Sequence, residues 1–175
     1  NRFFNDLKSQ GHAVGKDTLH AYLRFLEDAF VLFTVPIWTP SERVRRVNPR
    51  KAYPADPALA RAMTMRPDTG HLLETLVFLE LRRRGFDVGY LTTESGYEVD
   101  FMARHLDGRT AMVQVCARLD EPETRRRELR ALEEALTTHA VDEAAVVTLH
   151  ETETLTLSGH DVRVWPAWRW LLEGR

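Results

Sequence analysis

The sequence predicts an α/β protein preceded by a small winged-helix-like unit. In the second half of the chain an amphipathic helix is followed by three strands, a charged helix and further strands. That order builds a sheet covered by helices. In residues 1–38 a short helix, a glycine-bounded turn, a second helix and a strand follow one another, which is the order of a winged helix-turn-helix.

Composition narrows the class of protein. With 175 residues, 43% of them hydrophobic and 29% charged, the chain is long enough to bury a core. Its net charge of −2 gives no overall attraction to nucleic acid, so such binding would have to come from local patches. Cys116 is the single cysteine, which suits a reducing cytoplasm, and no apolar run approaches the roughly 20 residues of a membrane span. We therefore expect a cytoplasmic protein without a membrane partner.

The first unit, residues 1–38, has a helix start signal at Gly15 and Asp17. Four apolar side chains then follow helical spacing: Leu19, Tyr22, Leu23 and Leu26. The other side of this helix carries side chains of the kind that a DNA-recognition helix uses: Lys16, Thr18, His20 and Arg24. Because acidic residues on the same helix would repel phosphate, we favour a packing or docking role over sequence-specific DNA reading. Leu26 is expected to be buried.

The second segment, residues 39–70, is rich in proline and arginine and is interpreted as a connector. Its clustered arginines, among them Arg45 and Arg46, are either solvated or contact phosphate, and the sequence leaves both interpretations open. A short strand is expected from Lys51, followed by a small helix that Asp56 caps and that runs through Met63.

The third segment, residues 71–175, is predicted to form the α/β unit. Its first helix lies between Gly70 and Gly85 and has an apolar stripe. Strands are predicted at 88–92, 97–103, 111–116, 144–149 and 162–164, with helices at 123–138 and 168–173.

The candidate site lies on two neighbouring strands. Alternation places Tyr97, Val99 and Phe101 on one face, and Glu98 and Asp100 on the other. In the next strand Gln114 and Cys116 share a face, and an Asp-Gly turn signal at 107–108 predicts that the two strands form a hairpin.

Glu74 lies on the helix flank that faces the predicted sheet, so three carboxylates could converge: Glu74, Glu98 and Asp100. Carboxylates are the ligands that Mg²⁺ prefers. Taken singly, each of these residues is more often structural than catalytic, and that alternative stays open. We expect Asp100, Gln114 and Cys116 to lie close together, with Glu74 nearby.

Segments along nearly the whole chain carry a resemblance to a known family. They are Thr18-Leu19, Tyr22-Leu23, residues 26–29, Lys51, Tyr53, Asp56, residues 73–75, 81–85, 98–101 and 114–116, Thr124, Arg127-Glu128, Leu132 and residues 166–172. In this order and spacing the chain resembles the C-terminal half of bacterial and archaeal AAA-type ATP-binding proteins, a domain of unknown function. The resemblance implies that an ATPase domain precedes Asn1, so that the chain is a fragment. No P-loop motif occurs here, so ATP would bind only in that domain.

The second unit of that family is similar to the PD-(D/E)XK nuclease fold. The resemblance assigns the site roles to Glu74, Asp100, Gln114 and Cys116. Gln114 lacks the negative charge that helps to hold a divalent ion, and Cys116 cannot supply the ammonium of a lysine, since a thiol with a pKa of about 8.5 is mostly neutral at pH 7.

The expected function is therefore a non-catalytic regulatory or nucleic-acid-associated module of an AAA-type ATPase, with a degraded nuclease site, no cofactor and no bound metal. Its expected partners are the ATPase domain and, weakly, DNA or RNA. The alternative is a metal-dependent nuclease acting on DNA or RNA, with Mg²⁺ held by Glu74, Glu98 and Asp100. A thiol enzyme using Cys116 is a weaker third possibility, because a mid-strand thiol is expected to be buried and inert.

Overall fold

The computed structural model describes residues 2–63 and 68–173. Its helices are α1 Arg2–Ser9, α2 Lys16–Asp28, α3 Glu42–Val47, α4 Pro57–Met63, α5 Thr69–Arg83, α6 Pro122–Thr138 and α7 Ala167–Glu173. Its strands are β1 Leu32–Val35, β2 Lys51–Pro54, β3 Phe86–Thr92, β4 Glu98–His105, β5 Thr110–Val115, β6 Glu143–Thr148, β7 Glu153–Leu157 and β8 His160–Pro166. None of the described helices is long and apolar enough to cross a lipid bilayer.

A six-stranded mixed sheet forms the larger part of the molecule, in the order β3-β4-β5-β6-β8-β7. The strands β3, β4 and β5 form an antiparallel meander, β5, β6 and β8 run parallel, and β7 is an antiparallel edge strand. The predicted α/β class, with a mixed sheet flanked by helices, is confirmed. The sequence interpretation missed β7, the polar edge strand that pairs with β8.

The core lies on both faces of this sheet. On one face α5 and α7 cover Phe101, Ala103 and Val113, and on the other face α6 covers Met102 and Met112. Strict alternation along β5 separates the two sets. The predicted helix 123–138 therefore has a defined role: it seals the second face through its buried side chains, Ala131, Leu132, Ala135 and Leu136.

A β-bulge in β4 breaks the expected alternation at the candidate site. Gly89 pairs with Met102 and Leu91 pairs with Val99, so two steps along β3 oppose three steps along β4. Val99 accordingly packs on the face under α6, whereas Phe101 packs on the face under α5. The prediction that Val99 and Phe101 share a face is wrong, because an extra residue shifts the phase between them. Asp100 lies within the bulge, between Val99 and Phe101.

A second, two-stranded sheet is formed by β1 and β2, with Phe33 opposite Tyr53 and Val35 opposite Lys51. The chain that leaves β1 then runs along the edge of β3. Trp38 N–H donates to the Tyr90 carbonyl at 2.6 Å, and Tyr90 N–H donates to the Pro36 carbonyl at 3.0 Å. This contact covers an exposed strand edge and fixes the small sheet beside the large one.

The N-terminal unit has the predicted order of helix, turn, helix and strand, and 16–28 is one helix. This order does not establish a winged helix, because α2 buries none of its side chains and β1 pairs with β2 from the connector. The prediction that Leu26 is buried is wrong, since Leu26 is 40% exposed. The connector does contain the expected strand and helix, with Asp56 Oδ1 accepting a hydrogen bond from Ala58 N–H at 2.7 Å.

The close approach at Gly89 generates a stability prediction. A Cβ at this position would lie 3.1 Å from the Pro36 carbonyl oxygen and 3.1 Å from Trp38 Cε3. We expect Gly89→Ala to lower the free energy of unfolding by about 1–3 kcal/mol, since backbone and ring must shift. Urea unfolding measures this change. Gly15→Ala is the control, because its Cβ would meet only Thr18 Oγ1 at 3.6 Å. Equal effects of the two substitutions would contradict the packing argument.

Candidate functional site

The ammonium of Lys51 lies at the centre of the candidate site. Its Nζ is 2.8 Å from Glu74 Oε1, 2.8 Å from Glu98 Oε1 and 3.0 Å from Asp100 Oδ1. Lys51 comes from β2 in the connector, whereas the carboxylates come from α5 and β4. Sequence reasoning missed this residue. The available signal was its rarity, because the chain has only three lysines among 24 basic residues, and Lys51 begins a predicted strand.

Tyr53, two residues along β2, supports the same carboxylate. Its hydroxyl donates to Glu74 Oε1 at 2.5 Å, and its ring stacks on Phe78 with a centroid distance of 4.7 Å. The ring is fully buried. His71, one turn earlier on α5, places Nδ1 3.8 Å from Glu74 Oε2. Glu74 Oε1 therefore accepts hydrogen bonds from both Lys51 and Tyr53, and His71 lies near Oε2 without a hydrogen bond.

The pKa values of the two partly buried carboxyl groups, Asp100 and Glu74, shift in opposite directions. Burial raises the pKa of Asp100 to about 7, despite its contact with Lys51 and its hydrogen bond from Val115 N–H. Burial also acts to raise the pKa of Glu74, but the neighbouring His71 and the hydrogen bonds from Lys51 and Tyr53 outweigh it and hold that pKa well below its usual range. Asp100 and Glu74 share the Lys51 ammonium, but Glu74 also has Tyr53 and His71 beside it, so its charged form is stabilised more than that of Asp100.

Gln114 belongs to a second polar system on the α6 side. Its Oε1 accepts from Asp100 N–H at 3.3 Å, and its Nε2 donates to Glu128 Oε2 at 2.5 Å. Glu128 Oε1 in turn lies 2.6 Å from Arg127 Nη2. Gln114 is buried, and both ends of its amide are hydrogen-bonded. Glu128 was not predicted as a site residue, although it lies on the predicted charged helix.

Cys116 does not join this group. It follows the last residue of β5, is buried under α6, and donates its thiol hydrogen to the Arg118 carbonyl at 2.9 Å. Burial raises the pKa of the thiol, so the thiol stays neutral at pH 7. The structure thus brings together Glu74, Asp100 and Gln114 and leaves Cys116 outside the cleft lining.

An open cleft of about 560 Å³ lies in front of these groups. Its charged lining consists of Asp68, Glu74, Glu98, Asp100, Arg127 and Glu128, together with His71. Carboxylates therefore outnumber cations on its wall, and this wall repels a phosphodiester. Lys51 takes up the point at which three carboxylates meet, and among the described residues no set of three His, Cys, Asp or Glu side chains is arranged to hold a metal ion. A Mg²⁺ ion would have to displace the Lys51 ammonium from this point.

The predicted nucleic-acid contacts lie elsewhere. Four of these residues are exposed on α2: Lys16, Thr18, His20 and Arg24. On α3, Arg46 is exposed, and Arg45 Nη1 lies 3.9 Å from Glu42 Oε1. Within the described parts of the chain, none of these six lines the cleft. Their role in binding nucleic acid stays a prediction.

Comparison with known proteins gives two family matches. The model described as "Domain of unknown function (DUF4143)" matches residues 69–170, and the model described as "Domain of unknown function (DUF8612)" matches residues 4–70. An uncharacterized protein of Methanocaldococcus jannaschii is 28% identical over 177 residues, which cover 96% of this chain and 39% of that relative. The chain therefore spans about two fifths of the relative's length. No solved structure matches the chain.

The raised pKa of Asp100 predicts a pH dependence. Its carboxyl stays protonated in the folded chain after it has ionised in the unfolded chain, so this group removes stability as the pH rises from about 4 to about 7. We expect Asp100→Asn, which cannot ionise there, to gain stability relative to the native chain across that interval. Urea unfolding at several pH values measures the difference.

The control for this prediction is Asp107→Asn, at an exposed carboxyl. The backbone and side chain of Arg109, together with His105, hold the pKa of Asp107 below its usual range. The effect of Asp107→Asn on the free energy of unfolding should therefore change little between pH 4 and pH 7. A difference between Asp100→Asn and the native chain that is constant or shrinks with rising pH would contradict the assignment.

Proposed function

The chain belongs to the DUF4143 family, and we propose that this member is a non-catalytic module in which a nuclease-like framework holds a lysine at the metal position. One observation carries the proposal: the Lys51 ammonium lies within 3.0 Å of oxygens from Glu74, Glu98 and Asp100. These are the carboxylates that would ligate the ion in a metal-dependent nuclease. The site therefore has an internal cation.

Competition between the Lys51 ammonium and a metal ion for the same three carboxylates supports a structural role for the site. Mg²⁺ binds oxygen ligands at about 2.0–2.1 Å and loses its water reluctantly. It would have to displace an ammonium that already contacts all three carboxylates. Burial lowers the pKa of Lys51, but Asp100 and Glu74 outweigh burial and raise it above its usual value, so the ammonium stays charged. The ammonium thus offsets part of the negative charge of the three carboxylates without metal.

Gln114 and Cys116 also do not supply the charged groups that would drive phosphodiester cleavage. Gln114 offers a neutral oxygen, which is already hydrogen-bonded to Asp100, and Cys116 lies outside the cleft. A site without a metal ion lacks the charge that would activate water and stabilise a leaving group. The framework therefore supports binding or regulation better than hydrolysis.

The larger protein is proposed to be an AAA-type ATPase. The resemblance along the chain supports this assignment, and the archaeal relative has most of its length outside the matched region. In this proposal the partner is the ATPase domain of the same polypeptide, ATP binds in that domain, and the protein acts in the cytoplasm. Exposed basic residues on α2 and α3 would supply any weak contact with DNA or RNA.

One observation favours a metal-dependent nuclease as a second candidate. Lys51 supplies in space the ammonium that Cys116 lacks in sequence, so an acidic trio and a lysine do meet. In this alternative Glu74, Glu98 and Asp100 would hold Mg²⁺.

Cleavage assays separate the two candidates. The native chain, incubated with single- and double-stranded DNA and RNA in Mg²⁺ or Mn²⁺, should give no product above a metal-free blank. Cleavage that is lost in Asp100→Ala and retained in Asp107→Ala would overturn the non-catalytic proposal and establish the nuclease. Asp107 is a suitable control because it is an exposed carboxylate in the turn between β4 and β5.

Removal of the internal cation gives a second test. Lys51→Met leaves three carboxylates without their shared partner and should lower the free energy of unfolding by about 3–5 kcal/mol in metal-free buffer. Mn²⁺ should then raise the melting temperature of this variant and leave that of the native chain unchanged, since only the variant has an open site.

Two further variants control this test. Lys51→Arg keeps the positive charge and should show a smaller loss of stability and a smaller response to Mn²⁺. Lys8→Met removes an exposed lysine and should have neither effect. A native chain that responds to Mn²⁺ as strongly as Lys51→Met would rule out the lysine as the resident cation.

A further inference from the structure

The helix α2 presents its aromatic side to solvent. Tyr22 is 57% exposed, Phe25 64% and Leu26 40%, and these three residues follow the i, i+3, i+4 spacing of one helix face. On the inner side, Glu27 Oε1 accepts a hydrogen bond from Thr34 Oγ1 of β1 at 2.5 Å. Leu19 and Leu23, two turns and one turn before Glu27, are half-buried, so α2 has apolar side chains on its inner side and a second apolar set in solvent.

The end of α2 adds two more apolar residues to this face. Val31 N–H donates to the Leu26 carbonyl and Phe30 N–H donates to the Glu27 carbonyl, which together form a Schellman motif. Phe30 therefore takes the position that favours glycine, with a φ of 55°. Such a conformation costs about 1–2 kcal/mol for a residue with a Cβ, and the ring, 72% exposed, gains little packing in return.

The size of the face indicates what kind of occupant fits it. The α2 apolar face is defined here by Tyr22, Phe25, Leu26, Phe30 and Val31. From the size of such side chains, it leaves roughly 500 Å² of apolar surface in water. A free complex needs about 800 Å² per partner. Domains linked in one chain bury about 300–750 Å² each, because the linker supplies a high effective concentration. The face therefore suits a tethered domain better than a second copy.

We propose that the α2 apolar face is the docking surface for a further domain of a longer polypeptide that contains this chain. The inference rests on the proposed function, in which the chain is one module of an ATPase. It is supported by the archaeal relative, which matches nearly all of this chain with only 39% of its own length. The strained Phe30 ring would then be selected for contact with the docked domain rather than for the stability of this module.

Hydrogen exchange tests the docking directly. Amide exchange is measured by mass spectrometry in the 175-residue chain and in the natural longer polypeptide. We expect the amides of α2 to exchange roughly tenfold more slowly in the longer polypeptide, because docking suppresses local opening.

Phe30→Gly provides a variant whose two expected effects have opposite signs. Glycine suits the left-handed position, so the 175-residue chain should be as stable as the native chain or more stable. In the longer polypeptide the same substitution should return α2 exchange toward the faster rate. Leu106→Ser is the matched control, since Leu106 is 97% exposed in the β4–β5 turn and lies outside this face.

Three results would overturn the docking proposal. They are equal α2 exchange in both proteins, protection of α2 in the 175-residue chain that depends on its concentration, and a natural coding sequence with no further domain. The second result would assign the face to another copy of the chain. Failure here is distinct from failure of the non-catalytic proposal: metal-dependent cleavage would reject that proposal and leave α2 protection unaffected.

Discussion

The ion cluster around Lys51 is the interaction on which the arrangement of the two sheets depends. Its carboxylates belong to α5 and β4 of the large sheet layer, and its ammonium belongs to β2 of the small sheet. Three carboxylates this close would repel one another in a partly buried site without a cation. The ammonium reduces that repulsion and ties the connector to the core. Burying such a cluster contributes little net stability, but breaking it is costly.

The bulge in β4 divides the site into two polar systems. Asp100 turns its carboxylate to Lys51 and to the Val115 amide, while its own amide meets Gln114 on the other side. There the Gln114 amide donates to Glu128, an acceptor that would repel a carboxylate at the same position. A neutral Gln114 is therefore compatible with its neighbour. Lys51 and Gln114 thus donate hydrogen bonds to the acidic side chains around them.

The two unusual features of the molecule point in the same functional direction. In the cleft one ammonium lies among three carboxylates, and α2 shows apolar side chains to solvent. In the proposed function, both features belong to a module that contacts another part of a larger protein.

Local periodicity determined the elements of the α/β unit, because α5, β4, β5 and α6 each have a buried face whose spacing shows in the sequence. For the same reason the sequence alone could group Glu74, Asp100 and Gln114 in one site. Local pattern could not predict Lys51, which reaches Glu74 across 23 residues and Asp100 across 49.

Only the tertiary structure decided three further points. The bulge put Val99 and Phe101 on opposite faces of the sheet, and the residue pattern of β4 gives no sign of the extra residue that causes it. The exposed side of α2 was also undetermined, since an amphipathic helix shows that one face is apolar but not whether this chain covers it. The third point was the cation. The sequence specified the carboxylates, but the identity of the positive charge between them depended on which distant strand packed beside α5.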